Sequence, residues 1–305
     1  MSSDQTDFPN CPICGDNSWR VVHDGEVRDG AFGAGRTGRV ARCAGCGIDR
    51  LAESQCLPDT AYRTEAYRDR LGQGHDLQRH FDTHDELVRF TLDAVWPHSL
   101  RGKVFADIGC GGGSLLDHVA GVAREILAVD PDPGFAASLK TRGYLWSPST
   151  ADAAASHSGR VDVAFSIQVI EHVADPRAFL ADIGALLAPH GIAIVSTPNR
   201  TDVLMDLLPD DFPRFFYRTQ HRWYFDAKTL ARCADAAGLA VAEVKHVHRY
   251  AIANAMLWLR DRRPQGRTSL PPLDPALDLL WRSWLESNER ADNICIILKR
   301  KESGS

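Results

Sequence analysis

Four of the eight cysteines in this 305-residue chain form two C-x2-C pairs, Cys11-Pro-Ile-Cys14 and Cys43-Ala-Gly-Cys46, each followed directly by a glycine, Gly15 and Gly47. A C-x2-C turn aims two thiolates at one point, and two such turns complete a tetrahedral S4 set for zinc. The glycines permit the tight turn each knuckle requires. A redox C-x-x-C sits beside a βαβ pattern, and none surrounds these pairs. Cys11, Cys14, Cys43 and Cys46 are therefore assigned as ligands of a zinc ion. Four sulfur ligands leave no open coordination position, so the site is read as structural. Between the pairs, Trp19–His23 and Gly38–Cys43 read as short strands around the glycine-rich stretch 30–38. This is the pattern of a zinc ribbon, which is too small to hold a core without its metal. Cys56, Cys110, Cys233 and Cys295 have no such partner pattern and read as core or loop thiols.

Charge and length narrow the function classes. Lys and Arg number 35 against 40 Asp and Glu, a net charge of -5, which argues against a protein that coats nucleic acid through bulk positive charge. A hydrophobic content of 44% supplies a sizeable core. No apolar run approaches the roughly 18 residues of a membrane span, so no membrane partner is expected. The polar stretch Met1–Asp7 lacks the basic and apolar regions of a secretory leader. A cytoplasmic protein with reduced or metal-bound thiols is the expectation. The chain divides into a zinc ribbon (1–52), a connector with a helix from about His75 to Trp96 (53–98), and a larger domain (99–305). Tyr62 and Tyr67 fall in the connector and could close over a ligand.

The larger domain alternates strands and helices. Val104–Ile108, Ile126–Asp130, Val161–Ile167 and Gly191–Thr197 read as strands, with helices at 114–123, 133–142 and 176–187. Asp226 can cap a helix over Ala227–Ala237, and Leu239–His246 and Ile294–Lys299 read as the last strands. Such alternation predicts a mostly parallel sheet covered on both faces.

The first of these strands runs through Asp107-Ile-Gly109-Cys-Gly111-Gly112-Gly113 straight into a helix. Glycines let the backbone approach a ligand closely, and a helix N-terminus favours polar or anionic groups. The spacing is not the G-x-G-x-x-G of dinucleotide folds. An acidic residue inside the first strand, Asp107, can reach an ammonium group. Asp130, ending the second, can accept both hydroxyls of a ribose.

These segments resemble those of class I S-adenosylmethionine-dependent methyltransferases. Phe105–Gly113 is similar to their first motif, Ala128-Val-Asp-Pro-Asp to the second acidic motif, Val161–Pro176 to the fourth strand with its "EH" segment, and Gly191–Asn199 to the fifth strand. The resemblance implies an α/β, Rossmann-like, seven-stranded sheet with helices on both faces, and S-adenosylmethionine as cofactor. It places Gly109 and Gly111 at the methionine side, Asp107 at the amino group and Asp130 at the ribose. It sets Asp152, or backbone near Thr150–Ala151, by the adenine, and Gln168 beside the methionine moiety. With the ribbon, the whole resembles bacterial methyltransferases of sugar, glycan or antibiotic biosynthesis, among them deoxysugar C-methyltransferases with a similar zinc module.

The expected reaction is methyl transfer to an oxygen, carbon or nitrogen of a small-molecule acceptor, such as a sugar, a nucleotide-linked sugar or a natural-product intermediate. An oxygen or carbon acceptor usually needs a base. His172, with Glu171 to orient its segment, is the first candidate, and packing is its bland alternative. His221, in Gln220-His-Arg-Trp-Tyr-Phe, is the second. The aromatic stretch 199–225 could form an acceptor wall or lid, or simply pack on the sheet. Ala251–Leu259 and a Trp281–Leu285 turn read as cover or as the surface of a homodimer. The alternative function is RNA methylation, with Arg20, Arg28, Arg36, Arg39, Arg42 and Arg50 of the ribbon as a phosphate patch or a solvated face.

Overall fold

The computed structural model describes residues 7–30, 33–64, 69, 76–95, 100–264, 270 and 273–301. Tyr67 and the middle of the expected connector lie outside them. The strands are β1 (Trp19–Arg28), β2 (Gly35–Cys43), β3 (Asp49–Leu51), β4 (Val104–Ile108), β5 (Glu125–Val129), β6 (Leu145–Ser147), β7 (Val161–Ile167), β8 (Leu187–Pro198), β9 (Trp223–Tyr224), β10 (Leu239–Val247) and β11 (Asn293–Arg300). The helices are α1 (Leu77–Val95), α2 (Ser114–Val119), α3 (Ala136–Thr141), α4 (Thr150–His157), α5 (Pro176–Leu186), α6 (Val203–Leu207), α7 (Phe212–Phe216), α8 (Ala227–Ala236), α9 (Ile252–Asp261) and α10 (Pro275–Ser287). None of the described helices is long and apolar enough to cross a membrane.

The large sheet is seven-stranded, ordered β10-β11-β8-β7-β4-β5-β6. Strands β4 to β8 pair in parallel, and β11 is antiparallel to both β8 and β10. This is the Rossmann-like methyltransferase sheet the motifs imply. Alternation along β4 shows why both faces are covered. Val104, Ala106 and Ile108 join the core under α5 and α8, whereas Phe105 joins the core with Leu116 and Phe135. Asp226 caps α8 as expected, in a capping box with Thr229. The stretch expected as a Trp281–Leu285 turn is instead part of α10, which an Asp274 cap and Pro275 initiate. Leu279, Leu280 and Trp284 stay exposed on it.

The ribbon's own sheet is four-stranded, ordered β1-β2-β3-β9. Its last strand comes from the far end of the chain, where Trp223 and Tyr224 pair with Arg50 and Asp49. The aromatic stretch 199–225 thus packs rather than forming an open lid. Phe212, Phe216, Tyr217 and Tyr224 share a buried cluster with Val27, Val40 and Leu51 of the ribbon and Trp258 of α9.

A chain of buried charges fixes this junction. Asp49, fully buried, accepts hydrogen bonds from Arg42 Nε at 2.6 Å and Arg200 Nη1 at 2.7 Å, and Arg200 also pairs with Asp226. Arg50, only 2% exposed, lies between the rings of Trp19 and Trp223 and pairs with Glu53. Removing one member of a buried pair strands the other charge. Asp49→Ala is therefore expected to lower unfolding free energy by about 3–5 kcal/mol, measured by urea denaturation. A change below about 1 kcal/mol, the worth of a surface pair, would show the junction to be held by packing alone.

Candidate functional site

The two cysteine turns have the same backbone geometry. Gly15 N–H donates to Cys11 O at 2.8 Å and Gly47 N–H to Cys43 O at 3.0 Å, with both glycines at positive φ, 78° and 83°. The four sulfurs lie within 4.8 Å of one another, with Cys11–Cys46 at 3.6 Å and Cys14–Cys43 at 3.5 Å. A tetrahedron with metal–sulfur bonds of about 2.3 Å needs sulfurs just under about 4 Å apart, so the set fits zinc. A Cβ on Gly45 would stand 3.0 Å from Cys14 Sγ, which is why the second turn carries glycine there. Of the other cysteines, Cys110, Cys233 and Cys295 are buried and Cys56 is half-buried, as expected of ordinary thiols.

A cavity of about 650 Å3 opens at the C-terminal ends of the parallel strands, lined by Asp107, Gly109, Gly111, Asp130, Gln168, Glu171, His172 and His221. The structure thus brings together nearly all of the residues singled out from sequence. Gly109 has φ +82°, and a Cβ there would collide with Val169, so the position excludes side chains twice over. Asp130 receives Gly111 N–H at 2.7 Å and Asp132 N–H at 2.9 Å, which fixes its carboxylate at the loop. A carboxylate oxygen carries two acceptor lone pairs. Asp107 is 4% exposed and makes no side-chain hydrogen bond among the described residues. Burial, and secondarily the nearby Asp130, push its carboxyl up to about 8. Such a group is poised for a cationic partner. Gln168 holds a left-handed backbone, φ 59°, and its amide donates to Asn293 Oδ1 at 2.9 Å. Asp152 stands apart. Its carboxylate accepts from Ser149 Oγ at 2.6 Å in the first turn of α4, and the cavity wall is instead Pro148, Ser149 and Thr150.

The segment after β7 carries the titratable pair. Glu171 is 1% exposed, and its Oε2 accepts from Thr197 Oγ1 at 2.9 Å while Oε1 has no hydrogen-bond partner among the described residues. Burial pushes it up to about 7. His172 Nδ1 lies 2.7 Å from the Gln220 carbonyl, which also accepts from Tyr62 OH at 2.7 Å. A carbonyl only accepts, so Nδ1 carries the proton and Nε2 keeps its lone pair. Nε2 stands 3.9 Å from Glu171 Oε1. Burial holds His172 down at about 4 and His221 well below its ordinary value, so both rings are neutral near pH 7. Their rings meet edge-on at 4.8 Å. Tyr62 therefore braces the histidine rather than standing over the glycine loop.

Sequence reasoning did not assign several further lining residues to the site. Arg28 comes from ribbon strand β1, Arg218 from the aromatic stretch and Arg249 from after β10. His80 of α1 lies against the glycine loop, where its Nε2 accepts from Gly112 N–H at 3.1 Å. A helical period predicts α1 itself, but it does not say that α1 packs on the loop. Arg28 carries no local signal, because its place depends on pairing across the whole chain.

A methyltransferase-domain family model matches residues 77–244, more than half of the chain and starting after the ribbon. The ubiquinone biosynthesis O-methyltransferase of Azorhizobium caulinodans is 34% identical over 172 residues, 52% of this chain and 68% of that protein. That of Parvibaculum lavamentivorans is 31% identical, over 50% of this chain and 67% of that protein. Among solved structures, a SAM-dependent methyltransferase from Archaeoglobus fulgidus aligns with TM-score 0.48 and 15% identity, over 73% of this chain and 97% of that one. The chain belongs to the methyltransferase-domain family and is an S-adenosylmethionine-dependent methyltransferase.

Proposed function

We propose that the chain methylates a hydroxyl oxygen of a small-molecule acceptor, with His172 as general base. The observation that carries this is the imidazole of a cavity-lining residue whose Nδ1–H is held by a main-chain carbonyl, with Nε2 3.9 Å from Glu171 Oε1. S-adenosylmethionine, when bound, supplies a methyl group already activated by its sulfonium. The chain's residues then bind, orient and move one proton. Asp107 receives the amino group, Gly109 and Gly111 present backbone to the methionine side, and Asp130 accepts the ribose hydroxyls. Gln168 lies along the methionine moiety. Ser149 and Thr150, at the start of α4, border the adenine from the wall, with Asp152 behind them bonded to Ser149. His172 Nε2 takes the acceptor proton, and ionised Glu171 stabilises the imidazolium that forms. His221 is the alternate base, neutral and adjacent.

The name of the curated relatives supports oxygen over carbon or nitrogen as the acceptor atom. It connects them with ubiquinone biosynthesis, so sugars, nucleotide-linked sugars and natural-product intermediates stand as acceptor classes to be tested. RNA is less well supported. Arg39, Arg42 and Arg50 are paired with Asp7, Asp49 and Glu53, and Arg28 lines the cavity, so the ribbon offers few unengaged arginines to a phosphate backbone. We read Cys11, Cys14, Cys43 and Cys46 as holding one structural zinc. The ribbon with the chain to about residue 52 is then a unit whose sheet the catalytic domain completes.

Three measurements test these assignments. Asp130→Ala should weaken S-adenosylhomocysteine binding by at least about 10-fold, since each charge-assisted hydrogen bond contributes about 1.5–3 kcal/mol; unchanged affinity in calorimetry removes Asp130 from the site. The kcat/KM of the wild type should rise as pH passes about 7, where Glu171 ionises. Its raised value means the carboxylate is populated only above that pH. Glu171→Gln should flatten this limb, and His172→Ala should lower kcat about 10²–10⁴-fold with cofactor affinity kept; full activity in the alanine variant excludes His172 as base. Elemental analysis should find one zinc per chain, lost in Cys43→Ser together with thermal stability. A zinc-free wild type of equal stability would refute the metal.

A further inference from the structure

The acceptor end of the cavity carries a guanidinium, that of Arg28, which no carboxylate among the described residues neutralises. An isolated parallel β-bridge pairs Arg28 of β1 with Arg218, through Arg28 N–H to Tyr217 O at 2.9 Å and Thr219 N–H to Arg28 O at 3.0 Å. Bridge partners project to the same side, so the two guanidiniums are held as neighbours. Both lie over the ring of Phe215, at 4.4 Å and 5.9 Å from its centroid, and both line the cavity. Like charges directly opposite in a bridge are destabilising. Among the described residues no carboxylate pairs with Arg28, and its buried Nε has no hydrogen-bond partner. Burial first and the repulsion of Arg218 second bring Arg28 down to about 9. Arg249, by contrast, is tied to Asp292 at 2.7 Å.

A second observation points to a ligand at the same place. Gln220 is 3% exposed and lines this cavity, yet among the described residues neither its amide oxygen nor its amide nitrogen has a hydrogen-bond partner. A buried amide and a buried guanidinium Nε left unsatisfied are costly, unless a ligand completes them. Gln220 is tied to His172 through its main-chain carbonyl, and Arg28 lines the same cavity.

We propose that Arg28, Arg218 and the Gln220 amide form an anion subsite, so that the acceptor is a hydroxyl compound carrying a carboxylate or phosphate group. The planar guanidinium forks match either anion in bidentate fashion. The inference rests on the methyltransferase reading. It makes the ribbon, through Arg28, part of acceptor recognition.

The test titrates the zinc-loaded protein, saturated with S-adenosylhomocysteine, with inorganic phosphate and separately with acetate, chloride holding the ionic strength constant. At least one anion should bind saturably, at least 10-fold more weakly in Arg28→Met, with Arg28→Lys between. Which anion binds more tightly tells a phosphate-bearing from a carboxylate-bearing acceptor. Phenylglyoxal labelling of the wild type, read by mass spectrometry, needs no variant to fold. Saturating anion should slow modification of Arg28 and Arg218 severalfold. No saturable binding, equal affinity in Arg28→Met, or unprotected arginines overturns the anionic acceptor. Failure of S-adenosylhomocysteine itself to bind would instead overturn the methyltransferase reading beneath it.

Discussion

The pairing of β3 with β9 is the contact on which the site depends. It joins a segment before residue 52 to one beyond residue 220, and buried Asp49 holds Arg42 of one side and Arg200 of the other. Because β9 is pinned there, the residues just before it have a fixed path. Glu171 O accepts Arg222 N–H at 2.8 Å and Trp223 N–H at 3.1 Å, and Trp223 Nε1 donates to Val173 O at 2.8 Å. The segment after β7 and the segment before β9 therefore position each other. Hydrophobic contact brings the aromatic side chains to this junction, but direction comes from the hydrogen bonds and the charges, which tolerate few geometries.

Inside the cavity, burial works against charge. Asp107 and Glu171 are pushed toward their neutral acids, and His172 and His221 toward neutral imidazole. The two carboxyl groups that a formal count makes ionic are thus held toward neutrality, in a cavity that Arg28 also lines. Ligands then set the ionisation. A cation beside Asp107 favours its carboxylate, and a filled acceptor region changes the balance between Glu171 and His172.

Much of this was legible in the sequence, for physical reasons that also explain the exceptions. The glycine loop, Asp107, Asp130 and Glu171-His172 sit at strand ends, where local pattern and position coincide. The paired cysteines declare themselves by spacing. Strand β6 has three residues, and β9 two, too few for any periodicity to register. The aromatic stretch could be read as acceptor wall, lid or packing because composition does not say what lies opposite; its rings pack with the ribbon, while Arg218, Gln220 and His221 of the same stretch line the cavity. Asp152 was placed by resemblance, whereas its hydrogen bond to Ser149 is a helix-start interaction that leaves it out of the wall. Arg28 was seen only as one of a run of ribbon arginines; its bridge partner is Arg218, far along the chain.

The acceptor that fixes the His172 tautomer is the carbonyl of Gln220, shared with the hydroxyl of Tyr62. A main-chain atom is the same whatever side chain the residue bears. Replacement of position 220 can therefore retune what the cavity recognises while leaving the imidazole's protonation pattern intact. Orientation is written in the route of the backbone and selectivity in the side chain, so the two can diverge independently among descendants of this chain.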